Sequence, residues 1–302
     1  MAWNSTSTRF SEPAGCARAV RPGPPARERR GRMRLSANIS MLFAELAMPA
    51  RFAAARAAGF DCVEIQFPGE HDIEALAAAR AAADIPVSLI NIPRGGAEEA
   101  GLAALPGREE DFAEAVEACA EHVARLGARK VNVLAGFPPP GTDPQDAQAV
   151  LTGNLARAAA RFAPLGVGVM VEPVNPVDRP GFALTSLGEA LAVIGRAGHP
   201  GLRVQFDLYH MARTEPDLVA AIRRAGPSIG HVQFADAPGR GPPGTGGVDF
   251  AAALRALKAA GYDGDVAAEY LPGDDTRAGL GWMARFRALM DGHDSMNEET
   301  GP

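Results

Sequence analysis

The run Gly166-Val-Gly-Val-Met-Val-Glu172-Pro-Val-Asn-Pro-Val-Asp178 decides how the rest of this chain is read. Residues 167–171 form a short apolar stretch, the pattern of a strand buried on both faces in a parallel sheet. Glu172 follows at once, and a proline follows it. A carboxylate where a buried strand stops is not ordinary core, because it needs a cation, a hydrogen-bond network or water.

Outward from this run the chain alternates. Strand-like runs stand at 35–39, 62–67, 87–91, 130–134, 202–207, 230–234 and 265–269. Helical runs, most of them Ala-rich, follow at 49–58, 73–83, 109–126, 145–163, from a Thr185 cap to 196, then 216–225, 250–260 and 276–290. Gly59, Gly127 and Gly261 close three of them. Eight strand–helix units predict an α/β chain folded as a single closed parallel (β/α)8 TIM barrel over 34–290. An open doubly wound sheet would carry a glycine-rich phosphate loop after its first strand, where Ser40-Met-Leu-Phe stands instead.

Residues 1–33 lack apolar periodicity and are expected to be a disordered extension, or to precede a natural start at Met33. They contain no apolar core of a signal peptide. The polar tail, 291–302, is expected to be flexible. A formal charge of −6 argues against non-specific nucleic-acid binding, which rests on surplus Lys and Arg. Cys16, Cys62 and Cys119 are odd in number and widely spaced, as in a reduced, cytoplasmic protein. No apolar run is long enough for a bilayer, so no membrane association is expected. A homo-oligomer is compatible with the sequence but not specified by it.

In a barrel of this kind the site lies at the carboxyl ends of the strands. Asn91 and Pro93 follow the third strand, and Asn38 and Glu64 lie within the first two. The last four strands end on Glu172, Asp207, Gln233 and Glu269. Carboxylates converging in a dry mouth repel, and one stays protonated unless a divalent cation neutralises them. An all-oxygen set suits Mg²⁺ or Mn²⁺. His231 shares the strand parity of Gln233 one layer deeper, and is the alternative ligand. His210 lies just beyond Asp207, where a loop could turn it inward. Arg240 sits in a long Gly–Pro loop after the seventh strand, a place from which it could clamp an anionic group.

Several stretches together carry a family resemblance. They are Ser36-Ala-Asn-Ile-Ser-Met-Leu-Phe43, Pro106-Gly-Arg-Glu-Glu110, Glu172-Pro-Val-Asn175, Pro180-Gly-Phe182, Asp207-Leu-Tyr-His-Met211 and Gly244-Thr-Gly246. Over about 34–286 the chain resembles the hydroxypyruvate isomerase family of the xylose-isomerase-like barrels. The resemblance implies Glu172, Asp207, Gln233 and Glu269 as metal ligands, with Glu172 and Glu269 doubling as an acid–base pair. It implies substrate contacts from His210, Arg240 and Asp178, and from Asn91 and Glu64. The implied partner is a small anionic hydroxy-oxo acid. The implied reaction interconverts hydroxypyruvate and 2-hydroxy-3-oxopropanoate by metal-assisted proton transfer through a cis-enediolate.

Other readings are a 2-oxo-tetronate or related sugar-acid isomerase, a ketose 3-epimerase, and a non-catalytic sugar-acid-binding protein. Related epimerases commonly carry His where Gln233 stands. A repair endonuclease of the same superfamily would need a histidine-held zinc cluster and a basic groove.

Overall fold

A computed structural model describes residues 31–96 and 99–293. Eight parallel strands close in sequence order: β1 (Arg34–Asn38), β2 (Cys62–Ile65), β3 (Val87–Asn91), β4 (Lys130–Val133), β5 (Gly168–Val171), β6 (Leu202–Asp207), β7 (Ile229–Phe234) and β8 (Asp265–Ala268). β8 returns to β1 with Arg34 opposite Asp265 and Ala37 opposite Ala268, which seals the sheet. Closure leaves no sheet edge, so every strand is paired on both sides.

The helices are α1 (Met48–Ala57), α2 (Ile73–Ala83), α3 (Glu109–Leu126), α4 (Pro144–Phe162), α5 (Leu187–Ala197), α6 (Leu208–Thr214), α7 (Leu218–Ala225), α8 (Phe250–Ala259) and α9 (Met283–Asp291). Their buried faces pack on the outward strand residues; Val131, Val169, Val171, Val204 and Val232 are all buried. α3 shows the local logic. Glu109, Glu110 and Asp111 lie in its first turn, where they favour the helix dipole, and Gly127 ends it at φ 66°.

Three expectations are corrected. The cap of α5 is Ser186, which accepts from Glu189 N while the Glu189 carboxylate accepts from Ser186 N, a capping box; Thr185 stands one residue outside it. The helix expected over 216–225 is preceded by α6, which starts directly after Asp207, so His210 is carried on a helix rather than a loop. The last helix begins at Met283 rather than 276, because Gly279 and Gly281 interrupt the pattern at roughly 1 kcal/mol each. Thr276 is buried instead, accepting from Phe43 N at 2.6 Å. The extension expected over 1–33 lies outside the described residues up to residue 30, but Met33 belongs to the buried core. The tail lies outside them from residue 294.

The barrel interior is a polar column, unlike the usual filling of Val, Ile and Leu. At its base Asp265 pairs with Arg34 (2.6 Å) and with Lys130 (3.1 Å). Ser36 and Ser88 share a hydrogen bond of 3.0 Å above it. Higher still come His231, Glu64, Asn38, Asn132 and Gln205, all nearly without solvent contact.

Candidate active site

Glu172 is the first residue past β5, Asp207 the last of β6, Gln233 the penultimate of β7 and Glu269 the first past β8. All four are buried. Amides from surrounding strands and turns hold one oxygen of each glutamate. Glu172 Oε2 accepts from Asn132 Nδ2 (3.0 Å) and Gln205 Nε2 (2.9 Å). Glu269 Oε1 accepts from Asn38 Nδ2 (2.8 Å) and Gln66 Nε2 (2.8 Å). Gln205 Nε2 also donates to Gln233 Oε1 at 2.7 Å, so one amide ties the β5 and β7 groups together. Asp207 uses Oδ1 to cap α6 through Tyr209 N (2.8 Å), while its Oδ2 is buried with no hydrogen-bond partner.

Burial and mutual repulsion set the electrostatics. Burial, then Glu269 and Asp207, push the Glu172 carboxyl well above its ordinary range. Burial raises Asp207 to about 6 and Glu269 to about 7, in each case against the lowering pull of Arg240. Three carboxyls that resist ionisation around an orphaned buried oxygen fit a divalent cation, which would favour their charged forms and occupy the open lone pairs.

Glu172, Asp207 and His210 form a buried group close enough to hold a metal ion, with ligand atoms within 4.8 Å of one another. Hydrogen bonding assigns His210 a different part. Its Nδ1 faces two donors, Asn175 Nδ2 (2.7 Å) and Asn175 N (3.4 Å), so the proton sits on Nε2. That N–H lies 3.9 Å from Glu172 Oε1 and 3.7 Å from Asp207 Oδ2. Burial, then Arg240, hold its pKa down to about 3, so the ring is neutral. It is a hydrogen-bond donor aimed at the mouth, and a protonated nitrogen cannot ligate a metal.

Arg240 reaches Glu269 Oε2 with Nη2 at 2.6 Å and lies over the Tyr209 ring at 5.3 Å. Burial works against its charge, but Glu269, Asp207 and Glu172 outweigh burial and raise its pKa. The Gly–Pro loop that carries it is organised by Asp236, whose carboxylate accepts from the backbone N–H of Ala237 (3.0 Å), Gly244 (2.8 Å) and Val248 (3.0 Å). Leu271 N donates to Arg240 O at 2.8 Å, tying that loop to the one after β8.

A cavity of about 160 Å³ opens above these groups, lined by Glu172, Glu269, Asn91, Asp178, His210 and Arg240 among others. Asp178 reaches the lining through Tyr209 Oη (2.6 Å) and Asn175 Nδ2 (3.0 Å). Glu64 is not in the lining. It is fully buried beneath it, accepting from Asn38 and Gln233 and paired with His231. Sequence reasoning missed Asn132, Gln205, Gln66 and Asp236, and also Arg94 and Arg179, two further cations in the cavity wall. The parity of Gln205 with Asp207 was the available signal, since a glutamine two residues inside a buried strand points the same way.

Residues 52–286 match the xylose isomerase-like TIM barrel family. A hydroxypyruvate isomerase from Escherichia coli K12 is 40% identical over 84% of this chain and 100% of its own length. A 2-oxo-tetronate isomerase from Cupriavidus necator is 39% identical over 84% of this chain and 98% of its own. Among solved structures, one described as AP endonuclease, family 2, from Brucella melitensis is 33% identical, with a TM-score of 0.81 over 84% of this chain and 99% of that one. The chain therefore belongs to the xylose isomerase-like TIM barrels and, within them, to the hydroxypyruvate isomerase family. It is an enzyme, an isomerase of the aldose–ketose type. Among the described residues no helix is long and apolar enough to cross a membrane.

Proposed function

We propose that this enzyme interconverts hydroxypyruvate and 2-hydroxy-3-oxopropanoate, with Glu172 and Glu269 moving the carbon-bound proton. The observation that carries the reading is a pair of buried carboxyls lining one cavity that also holds three arginines. A carboxyl placed within reach of a reacting carbon can take a proton and return it. One glutamate removes a proton from C3, the electron pair forms the C2–C3 double bond of a cis-enediolate, and the other glutamate delivers a proton to C2. The hydroxyl proton on O3 passes to O2, beside the His210 Nε2–H. A divalent cation, Mg²⁺ or Mn²⁺, held by Glu172, Asp207, Gln233 and Glu269 would supply Lewis-acid polarisation of the substrate carbonyl. Arg240, with Arg94 and Arg179 in the same wall, supplies the positive field for the substrate carboxylate. Asn91 and Asp178 complete the polar lining.

Glu172→Gln and Glu269→Gln keep the hydrogen-bonding shape but cannot shuttle a proton. Each is expected to lower kcat by about 10²–10⁴-fold with circular dichroism unchanged. Near-wild-type turnover in either variant would overturn the two-glutamate scheme. The similarity to a 2-oxo-tetronate isomerase supports a second reading, a four-carbon acid in the same cavity. Comparing kcat/KM for the two acids decides between them.

A further inference from the structure

The ligand set proposed above contains one neutral member, Gln233, and an amide can present either its oxygen or its NH₂ to the mouth. Only the oxygen can hold a cation. What fixes its direction lies below it, in the polar column that the proposed reaction does not use.

The donor and acceptor sense of each contact in that column is forced by the one beneath. Lys130 Nζ is anchored on Asp265 Oδ2 at 3.1 Å and stands 3.1 Å from His231 Nδ1. A lysine ammonium has donors and no acceptor, so His231 Nδ1 must accept and its Nε2 carries the proton. That N–H points at Glu64 Oε1 in a close contact between two fully buried side chains. Glu64 Oε2 then faces two amides, Asn38 Nδ2 at 3.2 Å and Gln233 Nε2 at 2.8 Å. A carboxylate accepts only, so Gln233 must turn its NH₂ toward Glu64, from where it also reaches Glu269 Oε1 at 3.3 Å. Its Oε1 is left on the other side, where it accepts from Gln205 Nε2 at 2.7 Å, the amide that also donates to Glu172.

We infer that Lys130, His231 and Glu64 form a polarity relay, running up the barrel from Asp265, that makes Gln233 present its carbonyl oxygen to the cation. Glu64 and His231 are positioning residues in this scheme, acting through Gln233 and touching no substrate. The inference rests on the cation site proposed above. It also accounts for the burial of an acid and a histidine where a barrel normally places aliphatic residues.

Glu64→Gln inverts one link without changing the shape. The protonated Nε2 of His231 still claims the carbonyl of the new amide, so its NH₂ faces Gln233. Gln233 then has to turn over and direct its own NH₂ at the cation. Titration calorimetry of Mn²⁺ into the metal-free protein is expected to show affinity falling about 10–100-fold, the range found when a metal ligand loses its supporting partner. The swapped variant Glu64→Gln/Gln233→Glu restores the match of donors and acceptors, because a carboxylate offers oxygen on both sides. It is expected to fold and to recover Mn²⁺ affinity to within a fewfold of wild type, whereas a merely structural role for Glu64 would not be rescued at position 233.

Unchanged affinity in Glu64→Gln would overturn the relay. So would a swapped variant that misfolds or fails to regain the ion. Neutron diffraction of the deuterium-exchanged wild-type crystal reads the relay without any cation. Deuterium on His231 Nε2 and the Gln233 ND₂ group facing Glu64 are expected. Deuterium on Nδ1, or an inverted Gln233 amide, would contradict it. A wild-type protein that shows the expected deuterons but binds no Mn²⁺ would sustain the hydrogen-bond polarity, contradict its role toward a cation, and remove the cation from the proposed reaction.

Discussion

At the scale of the residue, the site depends on which oxygen is left free. Glu172 and Glu269 each give one oxygen to neighbouring amides, and Asp207 gives one to the start of α6. The other oxygens are free to face the mouth or a cationic partner. Glu172 could be singled out from sequence because an acid and a proline end an apolar run. Gln205 was marked only by its parity with Asp207, and Asn132 not at all, because a polar residue inside a short strand reads as a weaker strand until its partner across the barrel is known. Glycines act at the same scale. Gly136, at φ 87°, has no room for a Cβ, which would run into the carbonyl oxygen of Gly101. Gly136→Ala should therefore cost roughly 1–3 kcal/mol in urea unfolding, since both the backbone angle and the neighbouring strand connection must shift. A change within a few tenths would contradict the close packing of those two turns.

Elements show where periodicity suffices and where it fails. The bounds of α2, α3, β3 and β6 agree with the sequence reading, because each has an apolar pattern of the right period with a stop signal at its end. α6 escapes such a reading although Asp207 caps it and Pro216 stands two residues past its end. It is only seven residues long, and its cap is the same Asp207 that sequence reasoning assigned to the metal, so one carboxylate serves both ends of the strand–helix junction. The loop after β7 is the opposite case, since its glycines and prolines read as a free segment. Asp236 fixes it from inside, and the sequence gives no local sign that this acid points inward. Removing that acceptor in Asp236→Ala frees three backbone donors and should loosen the placement of Arg240. The expected outcome is a KM raised about tenfold or more with a smaller change in kcat. An unchanged KM would mean that Arg240 is placed by other contacts.

For the molecule as a whole, the polar column runs from Asp265 at the base to Glu269 at the mouth. Burial would raise the Asp265 carboxyl, but Lys130 and Arg34 outweigh burial and hold it well below the usual carboxylate range. An acid whose folded pKa lies below its unfolded value of about 3.9 contributes stability above that pH and loses it as the pH falls toward the folded value. Unfolding free energy should therefore fall more steeply on acidification below about pH 4 in the wild type than in Asp265→Asn, which should already be the less stable of the two at neutral pH. Parallel slopes would remove Asp265 from the acid response. The closed barrel and the four strand-end groups were legible in the sequence because strand parity and order carry them. The column was not, because several of its contacts join residues more than a hundred positions apart, such as Lys130 and His231 or Glu64 and Gln233.

Two-glutamate proton transfer is tested most directly by following hydroxypyruvate in D₂O by proton NMR at early times. Because one glutamate takes the C3 proton and the other supplies C2, the expected product carries solvent deuterium at C2. Product that keeps the substrate's own hydrogen there would contradict the account.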